Sequence, residues 1–187
     1  AQSLGFPSLK LYFMIGHPTE TEEDIEGIIE LTLKARAIFR RNLAINATPF
    51  VPKAHTPFQW MEMTPAKTLA RRQQMLRRGL AKHRIGVSAD SPDAAEVQGV
   101  LARGDRRLAT ALASSQEPTS RAFFATMRTH GLDPADYLSQ RDADAFQPWE
   151  VVNTGVRSRF LRMEYQLAEV ARTGHRCPPD SVACVAC

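Results

Sequence analysis

The stretch LKLYFMIGHPTETEEDIEGIIELTLKARAIFRRNLAINATPF, residues 9–50, decides the fold. It opens on a near-continuous apolar run, LKLYFMIG at 9–16, and closes on a second, LAINATPF at 43–50. Runs of this kind are the pattern of strands in a parallel sheet covered on both faces. Between them Pro18 punctuates a loop, and either Thr19 with Glu22 or Thr21 with Asp24 has the spacing of a capping box. Acids crowd the first turn that follows, and Lys34, Arg36, Arg40 and Arg41 the last, which complements a helix dipole. Ile25, Ile28, Ile29 and Phe39 form an apolar stripe, so the spacing predicts a helix over 22–40. Strand, helix and strand make a βαβ unit with parallel strands. Such units meet ligands at the carboxyl ends of their strands, here loops 16–20 and 48–53.

Working outward, VPKAHTPFQWMEMTP at 51–65 holds three more prolines and reads as a long, stiff loop. Loops of that length tend to be functional, and Phe50, Lys53, His55, Phe58 and Trp60 could wall a pocket or simply pack against the sheet. Thr64 and Pro65 start a helix that runs to about His83, with Leu69, Leu76 and Leu80 inward and Arg71, Arg72, Arg77 and Arg78 outward. RIGVSAD at 84–90 reads as a short third strand. Beyond it the texture is helical: 92–103, 105–114, 119–130 and 157–172, with a helical turn at 133–140 and an extended piece at 150–153. The tail at 175–187 has no pattern able to bury a face.

Composition bounds the function classes. The chain has 187 residues, 43% hydrophobic and 24% charged, enough to build a core and too apolar for wholesale disorder. No apolar run approaches the roughly 20 residues of a spanning helix, no secretion signal opens the chain, and a cytoplasmic protein without membrane partners is expected. All three cysteines fall in the last eleven residues, which excludes a disulfide framework in the body. The net charge of +4 is uneven: −4 over residues 1–35, +10 over 36–88 and −2 over 89–187. The basic segment 67–84 (Arg71, Arg72, Arg77, Arg78, Lys82, Arg84) is either a solvated helix face or a surface for RNA, although it lacks interleaved aromatics.

The segments KLYFMIGHPTETEEDIEGI and INATPFVPKAHTPFQW, separated by one acidic-starting helix, resemble the late part of radical S-adenosylmethionine (SAM) proteins. The likeness is nearest to the uncharacterised members that carry a cobalamin-binding (B12-binding) domain, and LARGDRRLATAL (101–112) and PWEVVNTGVRSRFLRMEY (148–165) resemble their C-terminal extension. The resemblance implies an α/β fold: the last βα units of a partial, open TIM-type barrel over 1–88, a mostly α-helical extension over 89–176, and a cysteine-containing tail over 177–187. It further implies a 4Fe–4S cluster that cleaves S-adenosylmethionine to a 5′-deoxyadenosyl radical, with cobalamin as a further family cofactor. The cluster motif C-x3-C-x2-C is absent, so the chain is expected to be the C-terminal piece of an enzyme. Its partner would be the missing N-terminal portion, or a split-gene product, acting on an unknown substrate. An isolated piece of a barrel would leave strand edges bare and be poorly stable.

Carried over by resemblance, Met14 and Gly16 would line the adenine, and Pro49 and Phe50 would complete that wall. Glu20 would act electrostatically or as a helix cap. His17 departs from the leucine usual in the family. Cys177, Cys184 and Cys187, with His175, have a spacing compatible with a metal site and equally with free thiols at a chain end.

Overall fold

A computed structural model describes residues 1–174. The stretch that decided the fold forms β1 (Ser8–Ile15), α1 (Glu22–Ile38) and β2 (Asn42–Pro49). The two strands are parallel neighbours in the register Ser8↔Asn42 to Ile15↔Pro49. After the loop come α2 (Ala66–Ala81) and β3 (Gly86–Ala89), which pairs in parallel with the other side of β2. The sheet has three strands in the order β1-β2-β3. Five further helices follow: α3 (Pro92–Ala102), α4 (Leu108–Ser114), α5 (Ser120–Thr129), α6 (Ala135–Leu138) and α7 (Ser158–Glu169).

The α/β class stands, but the TIM-type barrel does not. Among the described residues three strands form an open sheet with β1 and β3 at its edges, and the helices that follow add no strand to close it. A βα repeat is common to barrels and open sheets, so local periodicity could not tell the two apart. The expectation that β1 is covered on both faces also fails. Ile15 is fully buried, whereas Tyr12 and Met14 on the opposite face are 72% and 56% exposed. α1 and α2 pack on each other and on the face that carries Ile15, Leu43, Ile45 and Ala47. The other face bears Lys10, Tyr12 and Met14 of β1, Asn46 and Thr48 of β2, and Ser88 of β3.

Two compact units result, residues Ala1–Val51 with Met63–Glu96, and Pro52–Glu62 with the residues from Val97 onward. The first is the sheet with α1 and α2. The second has two apolar clusters. In one, Val100, Leu108, Ala111, Phe123, Met127, Leu132 and Tyr137 join α3 to α6. In the other, Trp60 and Met61 of the proline-rich loop pack on Leu161 and Tyr165 of α7. That loop is held in place by buried hydrogen bonds. Arg103 donates from Nη1 to the carbonyl of Met61 at 2.6 Å, and the Arg141 N–H donates to the carbonyl of Trp60 at 2.7 Å.

Local signals were mostly obeyed, with instructive exceptions. Of the two candidate capping boxes the chain uses Thr21 with Asp24, whose carboxylate accepts from the Thr21 N–H at 2.8 Å. At α2 the helix begins at Ala66, with Pro65 at the cap position rather than inside the first turn. The Thr64 hydroxyl donates to the carbonyl of Gly16 (2.9 Å), and the Ala66 N–H at the helix start donates to Glu96 of α3 (2.8 Å). Arg72 was placed outward by spacing and is buried. The segment around residue 150 is a 3-10 turn, Pro148–Val151, rather than an extended piece.

Candidate functional site

The carboxyl edge of β1 and β2 is built around Gly16. Its φ is +83°, and a Cβ there would collide with Leu69 Cδ2, so only glycine fits both the turn and the α2 packing. Both of its backbone polar groups are spent inside the fold. Its N–H donates to Glu20 Oε2 at 2.7 Å, and its carbonyl accepts from Thr64. Glu20 is held in turn by Arg72, whose Nη1 lies 2.6 Å from the same Oε2 and whose Nη2 donates to the Glu20 carbonyl at 2.6 Å. Both side chains of this ion pair are buried. Burial pushes the Glu20 carboxyl above its ordinary value, against the opposing pull of the Gly16 N–H and of Arg72. Of the two roles left open for Glu20, the geometry provides a clamp on the turn preceding α1, and the carboxylate is committed within the chain.

The remaining expected site residues divide between the two faces of the sheet. Met14 stands on the open face beside Thr48, its register partner, whereas Pro49 is buried beside Ile15 on the covered face. Phe50 extends the pairing by donating its N–H to the Ile15 carbonyl at 2.7 Å, and its ring tilts against His17 at 4.9 Å. Met14, His17 and Phe50 thus lie along the carboxyl edge of β1 and β2, with Gly16 supplying the turn. Sequence reasoning missed the polar row across the open face. Ser88 donates to Asn46 Oδ1 at 2.8 Å, and Asn46 Nδ2 donates to Thr48 at 2.9 Å. The period-2 alternation of β2 was the signal available for it.

Residues 1–174 contain no cysteine, so an iron–sulfur cluster has no thiolate ligands among them. No group of three or more His, Cys, Asp or Glu side chains is placed to hold a metal among the described residues. Cys177, Cys184, Cys187 and His175 lie outside the described residues. No helix among the described residues is long and apolar enough to cross a membrane. On the basic segment, Arg72 is taken up by Glu20 and Arg71 pairs with Glu22 of α1, which leaves Arg77, Arg78, Lys82 and Arg84 exposed. The stripe open to an RNA backbone is correspondingly shorter than the sequence suggested.

A cleft of about 250 Å3 lies wholly within the second unit, and its floor joins two proline-initiated 3-10 turns, Pro57–Trp60 and Pro148–Val151. Gln59 of the first turn accepts at Oε1 from the Trp149 indole N–H at 2.6 Å and from the His55 N–H at 2.9 Å. His55 has a φ of 59°, a left-handed conformation that this hydrogen bond helps hold. Of the five loop residues proposed to wall a pocket, His55 lines this cleft and Lys53 does not, Trp60 and Phe58 belong to the apolar cluster with α7, and Phe50 belongs to the sheet unit.

Comparison with known proteins yields one curated relative. The chain is 38% identical to an uncharacterized protein of Methanocaldococcus jannaschii over 120 residues, 64% of this chain and 26% of that protein. The matched region thus spans about a quarter of the relative's length. No family model matches the chain, and no solved structure matches it.

Proposed function

We propose that this chain supplies one wall of an adenosine site in a radical SAM enzyme that acts on an unidentified substrate. The observation that carries the reading is the parallel adjacency of β1 and β2. It brings Met14, the Gly16 turn and Phe50, each expected there from the resemblance, to one carboxyl edge. The open face beside that edge offers Met14 as an apolar contact and Thr48 as a hydroxyl partner. Gly16 serves by shaping the turn, because its own N–H and carbonyl are already used.

The cluster-binding cysteines and any cobalamin domain belong to another part of the enzyme, on the same or a separate polypeptide. That the curated relative is far longer than its matched region accords with such an arrangement. The protein here contributes binding, orientation and exclusion of water, while the hard chemistry is the cofactor's.

Two experiments test the reading. The DNA upstream of the Ala1 codon is expected to carry, in frame or in an adjacent gene, a C-x3-C-x2-C loop; its absence from both places overturns the proposal. Hydrogen exchange of the assembled protein is expected to slow at residues 14–20 and 47–51 when S-adenosylmethionine is added. Exchange unchanged at both segments would place the nucleoside elsewhere.

A further inference from the structure

The segment LARGDRRLATAL, residues 101–112, has no part in the adenosine wall. Its Arg103 is fully buried in the second unit, where an unpaired guanidinium is costly. Only one end of that group is satisfied. Nη1 donates to the carbonyls of Met61 and Ser139, whereas Nε and Nη2 are buried with no hydrogen-bond partner among the described residues. Nε and Nη2 form one edge of the planar group, and their N–H bonds run parallel. That edge is the fork that a carboxylate or phosphate fits with two oxygens.

A second guanidinium stands beside it. Arg141 donates from Nη2 to the Arg103 carbonyl at 2.9 Å and from Nη1 to Gln147 Oε1 at 3.3 Å. Its Nε is also buried and unpartnered. Burial, and secondarily the charge of Arg141, lower the Arg103 guanidinium to about 10, so both groups are cations at neutral pH. Neither has an ion-pair partner among the described residues. Asp105 is the carboxylate whose field reaches Arg141, and both of its oxygens are bonded to Arg107. Two neighbouring cations thus share three unused donors and no counter-charge of their own. Water would satisfy the donors and leave the charge; an oxyanion does both.

We infer that the Nε–Nη2 edge of Arg103 holds a small oxyanion of the carboxylate or phosphate type, with Arg141 as the second cation. These donors have no exposed surface, so the anion is one of few atoms, enclosed by the chain. Arg103 also carries the Met61 carbonyl, and the Arg141 N–H the Trp60 carbonyl, so the anion would tie the proline-rich loop to α3. The site lies wholly in the second unit and does not rest on the adenosine reading.

The test uses the full chain, exchanged into chloride buffer free of oxyanions. Ion chromatography of the denatured protein reads any anion it has retained. Formate, acetate and phosphate are then titrated at constant ionic strength while NMR follows the Arg103 Nε–H resonance. The expected result is one retained oxyanion per chain, or a saturable shift of that resonance at low-millimolar concentration with chloride silent. The probe that acts separates a carboxylate from a phosphate. Arg103→Lys keeps the charge and loses the fork, and should weaken the oxyanion by about tenfold or more, read from the anion-dependent rise of the urea midpoint. An unmoved resonance together with no retained oxyanion overturns the inference and leaves the donors to water. A midpoint that rises equally in wild type and Arg103→Lys also overturns it, because the rise is then a general salt effect. Should Arg103→Lys not fold, the two wild-type measurements decide.

Discussion

The two units hold their buried guanidinium groups by different means. In the sheet unit, Arg72 meets a carboxylate, Glu20, only 52 residues away in sequence and set by the same turn that Gly16 makes. In the helical unit, Arg103 is fully buried with no ion-pair partner among the described residues, and binds the carbonyls of Met61 and, at a longer 3.4 Å, Ser139. Its half-buried neighbour Arg141 also binds a carbonyl, that of Arg103, at 2.9 Å. Burial, and secondarily Arg141, push the Arg103 guanidinium down to about 10, still cationic at neutral pH. A cation can thus serve as a multi-point tether for loop carbonyls, which irregular chain has in surplus and a sheet does not. The sheet unit takes its order from ladder pairing, and the helical unit takes much of its order from single side chains.

The sharpest way to break that contrast is Arg103→Ala. It removes a fully buried side chain and frees the Met61 carbonyl, and should cost about 3–5 kcal/mol. Hydrogen exchange should show the loss in residues 52–62 and 97–141 while β1 and β2 keep their protection. Equal loss in both units would mean that the tether is not local to the second.

Gly16→Ala attacks the sheet unit at its turn. The positive φ and the close approach of Leu69 should together cost about 2–4 kcal/mol, read from the urea midpoint. A change below about 0.5 kcal/mol would show that the turn relaxes freely. Thr64→Val, which deletes only the hydroxyl bond to the Gly16 carbonyl, should cost about 1 kcal/mol by the same measurement. An unchanged midpoint would mean that water replaces the hydroxyl without loss.

The smallest effect concerns pH. The folded state holds the Glu20 carboxyl above its ordinary value of 4.5, so it binds a proton more readily than the unfolded chain. The Glu20 contribution is therefore complete below about pH 4.5 and is lost as pH rises through the folded value. Stability measured from pH 4 to 7 should fall more steeply in the wild type than in Glu20→Gln. Parallel curves would show that Arg72 and the Gly16 N–H fully offset the burial.

Much of the sheet unit was legible because its information is local. The β1–α1–β2 order, the helix cap and the third strand all follow from spacings within one or two turns. The error over Arg72 is of a different kind: hydropathy places a guanidinium in water unless its partner is known, and Glu20 stands on another element. The helical unit hid more. Gln59 and Trp149 meet across 90 residues, and nothing in either neighbourhood predicts the other. The available signal was weak: the chain has two tryptophans, each inside a short proline-initiated turn with a glutamine beside it or just before the proline.

The sequence by itself determined the parallel crossover, because two apolar runs joined by a capped amphipathic helix through short connections leave few other arrangements. Tertiary structure alone decided that the sheet has three strands among the described residues and leaves one face open. It also decided that the proline-rich loop joins the helical unit. Sheet closure and loop allegiance depend on which distant groups are free to satisfy a strand edge or a carbonyl. That is a property of the assembled chain and of no window along it.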